Sequence, residues 1–380
     1  MKIIISADLV PTESNKELFD SANIKEIFGE DLCAELENAD IRIFNLEVPF
    51  YDGDSKIKKS GPSLKAPTST IAGIKALNPT LASIANNHIL DCGREGLEST
   101  IKLFEENGIA HVGAGENLAV AKKPYIIEKD GKRIGIYSCA EHEFSIATDD
   151  TAGANPLDEL YSFDEIEELK KNVDTVIVLF HGGRELYRYP TPMQQRRCRR
   201  MIEKGADVVI CQHSHCVGCE EKYEGGTIIY GQGNFIFDLF HKDEWKTGLL
   251  TVIDIDSDNK IEVSYVPLEK CGNVVRKSEN KNIIEGFYSR SSQICGNGFV
   301  INNFKNEAKK GMRHPLLVLL GKISGSFFFK ALNKILGGKL QYKIYGERQA
   351  LSLINQFECE SHSELLLSGL KQIADGEKNK

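Results

Sequence analysis

Two histidines one residue apart, His213 and His215, follow the apolar run Ala206 to Cys211, and a third, His181, follows the run Asp174 to Phe180. Imidazoles at loop tips are ligands for Zn, Mn, Fe or Co. Asp8 ends the run Lys2 to Ala7, and Glu47 follows Ile41 to Phe44, so two carboxylates stand at comparable places. Asn87 and His88 follow Leu81 to Ala85, and an amide oxygen beside an imidazole suits a cation and a proton donor. Joined together, Asp8, Glu47, Asn87, His181, His213 and His215 supply enough ligands for two neighbouring ions. Such a pair holds a phosphoryl oxygen and activates a water in line with the leaving group. His88, next to a ligand, is then placed to protonate that leaving group.

The same letters carry other readings. Ser83 to Gly93 also fits an ordinary strand-to-helix turn capped by Asn86 or Asn87. Cys216-x-x-Cys219 lies beside His213 and His215 with zinc-knuckle spacing, but no second Cys-x-x-Cys partners it, and buried idle thiols are the ordinary state of such residues. Glu141-His142-Glu143 follows a strand as well and reads as solvated loop.

The elements that must position these residues are strands alternating with helices. Leu97, Ile101 and Phe104 recur at helical spacing until Asn107-Gly108 stops them, and Thr191-Pro192 reads as an N-cap with proline in the first turn of a basic helix that Gly205 closes. Lys132 to Ser138 is a further strand, and an acidic helix is expected near Asp164 to Lys171. Gly248 to Asp254 and Lys260 to Val266 alternate as an antiparallel pair would. The pattern predicts an α/β layered core of mixed sheets. In such folds ligands gather at the carboxyl ends of strands, which is where Asp8, Glu47, Asn87, His88, His181, His213, His215 and Asn234 all fall.

At 380 residues the chain is long enough for two or three units, or for one large α/β domain with an appendage, and a net charge of -8 argues against nucleic acid as a partner. Ten cysteines without framework spacing, an N-terminus that runs straight into a strand, and the lack of any long apolar run favour a cytoplasmic location. From about residue 278 the pattern changes, and the division expected is a domain over 1–270 and a basic, amphipathic, mainly helical extension over 271–380. Residues 305–343 hold nine Lys or Arg against one Glu, with Leu316 to Leu320 and Phe327 to Phe329 between them. Two roles fit: an appendage that packs its apolar side on the core, or peripheral docking on an anionic membrane or a protein partner.

The run from Ser83 to Gly115, together with Asn45-Leu46-Glu47, His181-Gly-Gly-x-Glu185, Gly205 to His215 and Gly233-Asn-Phe, closely resembles the CapA capsule-synthesis (poly-γ-glutamate synthesis) family. That family looks like a branch of the calcineurin-like metallophosphoesterases, and the resemblance covers about residues 1–270. It implies a four-layer sandwich, two mixed sheets flanked by helices, and a divalent cofactor of one or two ions, Mn, Zn or Fe. It implies that Asp8, Glu47, Asn87, His181, His213 and His215 are metal ligands, that His88 is the catalytic histidine, and that Asp91 orients it. Asn86, Glu185 and Asn234 would line the site. The activity implied is hydrolysis of a phosphate ester or related bond in capsule or cell-surface polymer biosynthesis, with a small phosphorylated or polymer-derived substrate and capsule-synthesis proteins as partners. A non-catalytic part in a polymer assembly complex is the alternative. Three positions depart from the superfamily pattern: Val10 stands where a histidine is usual, Glu47 where an aspartate is usual, and Ala7 where a glycine is usual.

Overall fold

The computed structural model describes residues 1–238, 242–358 and 360–375. Alternation along its strands sets the layering. On the strand Lys2–Leu9, Ile3 and Ile5 point one way and Ile4 the other; on Thr175–His181, Ile177 and Leu179 oppose Val176, Val178 and Phe180. A strand apolar on both faces has to be covered on both.

Two sheets and their helices meet that demand. The first runs Val274–Lys277, Ile261–Cys271, Thr247–Ile255, Lys2–Leu9, Ile41–Leu46, Leu81–Ser83, Ala110–Val112, with Asn234–Ile236 also paired to Lys2–Leu9. The second runs Glu220–Tyr223, Gly226–Ile229, Val208–Gln212, Thr175–His181, Lys132–Ala140, Tyr125–Lys129. Each sheet holds four neighbouring parallel strands extended by antiparallel ones, including the expected pair Thr247–Ile255 and Ile261–Cys271. Ile3, Ile5, Ile41 and Ile43 of the first sheet pack against Ile136, Ile177, Leu179 and Ile210 of the second. On the outer face of the first sheet, Ile4 and Phe44 meet Phe19, Phe28, Leu97 and Phe104; on that of the second, Val178 and Phe180 meet Ile166, Cys198 and Met201. The result is four layers, helix, sheet, sheet and helix.

The local signals act as the sequence suggests. Thr191 accepts from the Gln194 backbone N–H and forms a capping box for Pro192–Glu203, while Gln194 Nε2 donates to the Gly182 carbonyl and ties that helix to the loop after His181. The helix Gly93–Asn107 ends with Gly108 in the left-handed conformation. Amides join the sheets below the loops: Gln212 Nε2 donates to Ser6 O at 2.9 Å and to Gln232 Oε1 at 3.1 Å, and Gln232 Nε2 donates to Ile5 O at 3.0 Å.

The first compact unit runs Met1–Ile301, past the residue-270 boundary expected from the sequence. The added part belongs to the core because Val274–Lys277 extends the first sheet and Lys281–Ile294 buries Ile283 and Phe287 in the layer between the sheets. The second unit, Asn302–Lys380, is helical where described. Among the described residues no helix is long and apolar enough to cross a membrane.

Ile177 is fully buried between the sheets. Ile177→Ala is expected to destabilise by about 2–5 kcal/mol in urea unfolding, through lost transfer energy and the cavity left behind. Leu160→Ala, at a side chain 75% exposed, should stay within about 0.5 kcal/mol.

Candidate metal centre

The carboxyl ends of the parallel strands in both sheets converge, and the chemistry-bearing residues come with them. Asp8 lies near the end of its strand at an irregularity in register, paired with Asn45 on one side and Asn234 on the other. Asn234 reaches that register because Gly233 precedes it with φ +74°, and a Cβ there would lie 2.5 Å from the Thr247 carbonyl oxygen. His213 and His215, directly after Val208–Gln212, both take positive φ, at 86° and 52°. Non-glycine residues rarely sit there, and such strain concentrates at functional loops.

Two sets of ligand atoms result, Asp8, Glu47 and His215 on one side and Glu47, His181 and His213 on the other, the atoms of each set lying within 4.8 Å of one another. Glu47 belongs to both. His181 Nε2 faces three electronegative atoms at once: the acceptor oxygens Asn87 Oδ1 at 3.0 Å and Glu47 Oε1 at 3.3 Å, and His213 Nδ1 at 3.2 Å. One ring nitrogen donates a single proton, so hydrogen bonding cannot satisfy this convergence. Both oxygens of the fully buried Glu47 lack a hydrogen-bond partner among the described residues. Burying a carboxylate without hydrogen bonds is costly, and a divalent cation between the two sets would offset that cost. The donor set therefore fits a divalent metal.

The electrostatics point the same way. Burial, then the charge of Asp8, pushes Glu47 well above the usual carboxylate range. Burial would also raise Asp8, but the hydrogen bond from His215 and the charges of His181 and His215 outweigh it and hold Asp8 low. Burial opposes a charged His215, yet Glu47 and Asp8 beside it lift it to about 9. Burial drives His181 down to about 4 and His213 well below the ordinary value. His215 is fixed by its surroundings: Nδ1 lies 2.9 Å from Asn234 Oδ1 and the ring stacks on Trp245 at 4.2 Å.

Beside this cluster stands the His88 and Asp91 pair. His88 Nδ1 is 2.6 Å from Asp91 Oδ2, so the Nδ1–H donates to the carboxylate and leaves Nε2 as the working nitrogen. Burial lowers His88 against the pull of Asp91. Asp91 also accepts from the Leu64 backbone N–H at 2.6 Å and from Lys59 Nζ, which lies 3.2 Å from His88 Nδ1.

Of the site residues expected from the sequence, Asp8, Glu47, His181, His213 and His215 fall in the two ligand sets, with Asn87 on His181 and Asn234 on His215. Asn86 braces the loop, donating to the Leu46 carbonyl and accepting from the His88 N–H. Glu185 is exposed on the loop after His181 and outside both sets, although its charge bears on Glu47. No cysteine belongs to either set among the described residues, and Cys216 and Cys219 are buried thiols. Three residues escaped the sequence reading. Lys59 sits in a loop without periodicity and gives no signal. Asn45 donates to Asp8 Oδ1 at 2.7 Å, and Glu143 accepts from Asn87 Nδ2 at 3.1 Å and lies 3.9 Å from His213 Nε2. The position of Glu143 after Lys132–Ala140 was the available clue.

A family model described as "Bacterial capsule synthesis protein PGA_cap" matches residues 2–239. The capsule biosynthesis protein CapA of Bacillus anthracis is 32% identical over 233 residues, 57% of this chain and 57% of that protein. The PGA biosynthesis protein CapA of Bacillus subtilis (strain 168) is 34% identical over 199 residues, 51% of this chain and 52% of that protein. The chain thus spans about half the length of these curated relatives. Among solved structures, a putative 5'-nucleotidase from Staphylococcus aureus in complex with alpha-ketoglutarate aligns over 75% of this chain and 57% of its own, at 13% identity and TM-score 0.44. A novel phosphatase from Mycoplasma pneumoniae aligns over 75% and 96%, at 13% identity and TM-score 0.43.

Two outcomes are expected. To act as ligands, His215 and Glu47 must give up protons that their surroundings favour, so divalent metal uptake at pH 7 should release protons, and affinity should rise with pH up to about 9. Calorimetry in buffers of different ionisation enthalpy measures the release, and uptake without proton release would contradict the assignment. Lys59→Met strands the buried Asp91 carboxylate, side chains 4% and 0% exposed, and is expected to cost about 3–5 kcal/mol in urea unfolding.

Proposed function

Because the chain belongs to the bacterial capsule synthesis protein family PGA_cap, we propose that it is a metal-dependent hydrolase of cell-surface polymer biosynthesis, cleaving a phosphate ester or a related bond. One observation carries the reading: two acid and imidazole ligand sets share the buried Glu47 and lie beside an oriented histidine. The names of the Bacillus relatives, capsule and PGA biosynthesis, supply the polymer context.

Asp8, Glu47 and His215 would hold one ion and Glu47, His181 and His213 the other, with the Asn87 amide beside the second. The first set is mostly carboxylate and suits a harder ion such as Mn, whereas the second, with two imidazoles, suits Zn or Fe. Divalent ions supply Lewis-acid charge to a phosphoryl oxygen and acidify water. The remaining work falls to the chain. Asp91 fixes the His88 tautomer, so Nε2 is the atom that takes up and returns a proton at a leaving oxygen. Burial disfavours the charged ring, and an anionic substrate would favour protonation of that nitrogen before the bond breaks. A cavity of about 360 Å³, lined by Val10, Thr12, Tyr51, Leu64 and Lys65, adjoins the pair through Leu64 and offers room for the rest of a substrate.

Val10 favours a second reading. It is buried where the superfamily pattern has an imidazole, so the first ion has one ligand fewer, which suits a non-catalytic component of a polymer assembly complex that keeps the metal only for structure.

Metal analysis and hydrolysis of generic phosphomonoesters and diesters in added Mn separate the two. The wild type is expected to bind metal and turn over; His213→Ala should lose at least half of the metal, and His88→Ala should keep it while losing about 10²–10⁴-fold in rate. Metal bound without turnover on any ester would leave the assembly reading, and full metal in His213→Ala would remove the centre itself.

A further inference from the structure

The second compact unit carries a surface that the metal centre does not explain. Its segment 305–343 holds nine Lys or Arg residues, all exposed, with Glu307 as the only acid in that stretch of sequence. Large apolar side chains lie bare among them: Val318 and Ile323 are each 62% exposed, Phe327 79%, Phe328 84% and Ile335 79%.

The helix Phe327–Ile335 shows how they are arranged. Ser326 caps it, accepting from the Phe329 N–H. At about 100° per residue, Phe327, Ala331, Ile335, Phe328 and Leu332 fall on one arc of roughly 140°, and Lys330 and Lys334 flank its edge. Phe329 points away from that arc and is buried. The neighbouring short helices Arg313–Leu319 and Lys322–Gly325 repeat the combination with Val318, Leu319 and Ile323 beside Arg313 and Lys322.

We propose that residues 313–335 dock the chain on the surface of an anionic lipid bilayer, with Phe327, Phe328, Ile335 and Ile323 entering the headgroup boundary and the lysines reaching lipid phosphates. Exposed aromatics flanked by lysines, with one acid in 305–343, match the two features of such a surface, a shallow apolar layer and a negative potential. Charge alone would suit a soluble polyanion, but the bare phenylalanine face would then stay in water. The segment lies on the bilayer and does not cross it, since no described helix is long and apolar enough.

Flotation of the full chain with vesicles tests this. Binding to phosphatidylcholine mixed with phosphatidylglycerol is expected to exceed binding to phosphatidylcholine alone about tenfold and to fall with salt. Phe327→Ser with Phe328→Ser, and separately Lys330→Glu with Lys334→Glu, should each reduce it about tenfold with circular dichroism unchanged. In Phe328→Trp the new indole should shift its emission to the blue when anionic vesicles are added. Equal binding to both vesicle types, no binding, or no emission shift would overturn the proposal. So would loss on charge reversal with full binding by the serine variant, the behaviour of a soluble polyanion site.

Discussion

A carboxylate with no hydrogen bond, sealed between two sheets, is the constraint that organises this molecule. Glu47 is 0% exposed and neither oxygen has a partner among the described residues. Nothing in hydrophobic packing asks for an acid there, and an ionised one is expensive to bury. The fold nevertheless places it where the carboxyl ends of parallel strands from both sheets meet, with Asp8, His181, His213 and His215 around it. That meeting requires the sheets to be held in one relative position. The isoleucine layer supplies the attraction, and the Gln212 and Gln232 amides, reaching across to the Ser6 and Ile5 carbonyls, limit sliding just beneath the site.

Much of this was legible because strand ends are easy to recognise. An apolar run that stops at Asp8, His181 or Gln212-His213 marks both an element and the residue it delivers, and the layering follows from alternation within those runs. The resemblance then joined positions that spacing alone cannot bring together. Other features left no comparable trace. Lys59 lies in a loop whose letters, Lys56-Ile57-Lys58-Lys59, give no clue which lysine turns inward. Gln212 and Gln232 gave no signal, because the carbonyls that their Nε2 groups bond, Ser6 O and Ile5 O, are 206 and 227 residues away in sequence. The boundary at 270 followed the reach of the resemblance, but Val274–Lys277 and Lys281–Ile294 complete a sheet edge and a buried layer that only the tertiary structure defines.

Asp91, whose charge bears on Glu47, shows how this chain treats a buried acid that it neutralises itself. Its side chain is 0% exposed, like that of Glu47, but Lys59, the Leu64 N–H and the His88 Nδ1–H all turn toward it. The opposite charge and the donors come from the chain, and the pair is complete. Around Glu47 the chain supplies instead a second acid and three imidazoles, two of which burial holds in the neutral form. Of the three, His215 alone is pushed up, to about 9, by the two carboxylates beside it. A protein that can build the Asp91 arrangement has the means to build another for Glu47. The lone-pair donors placed there fit a positive charge brought from outside the chain, and a divalent cation is a species that neutral imidazoles and carboxylates can hold together.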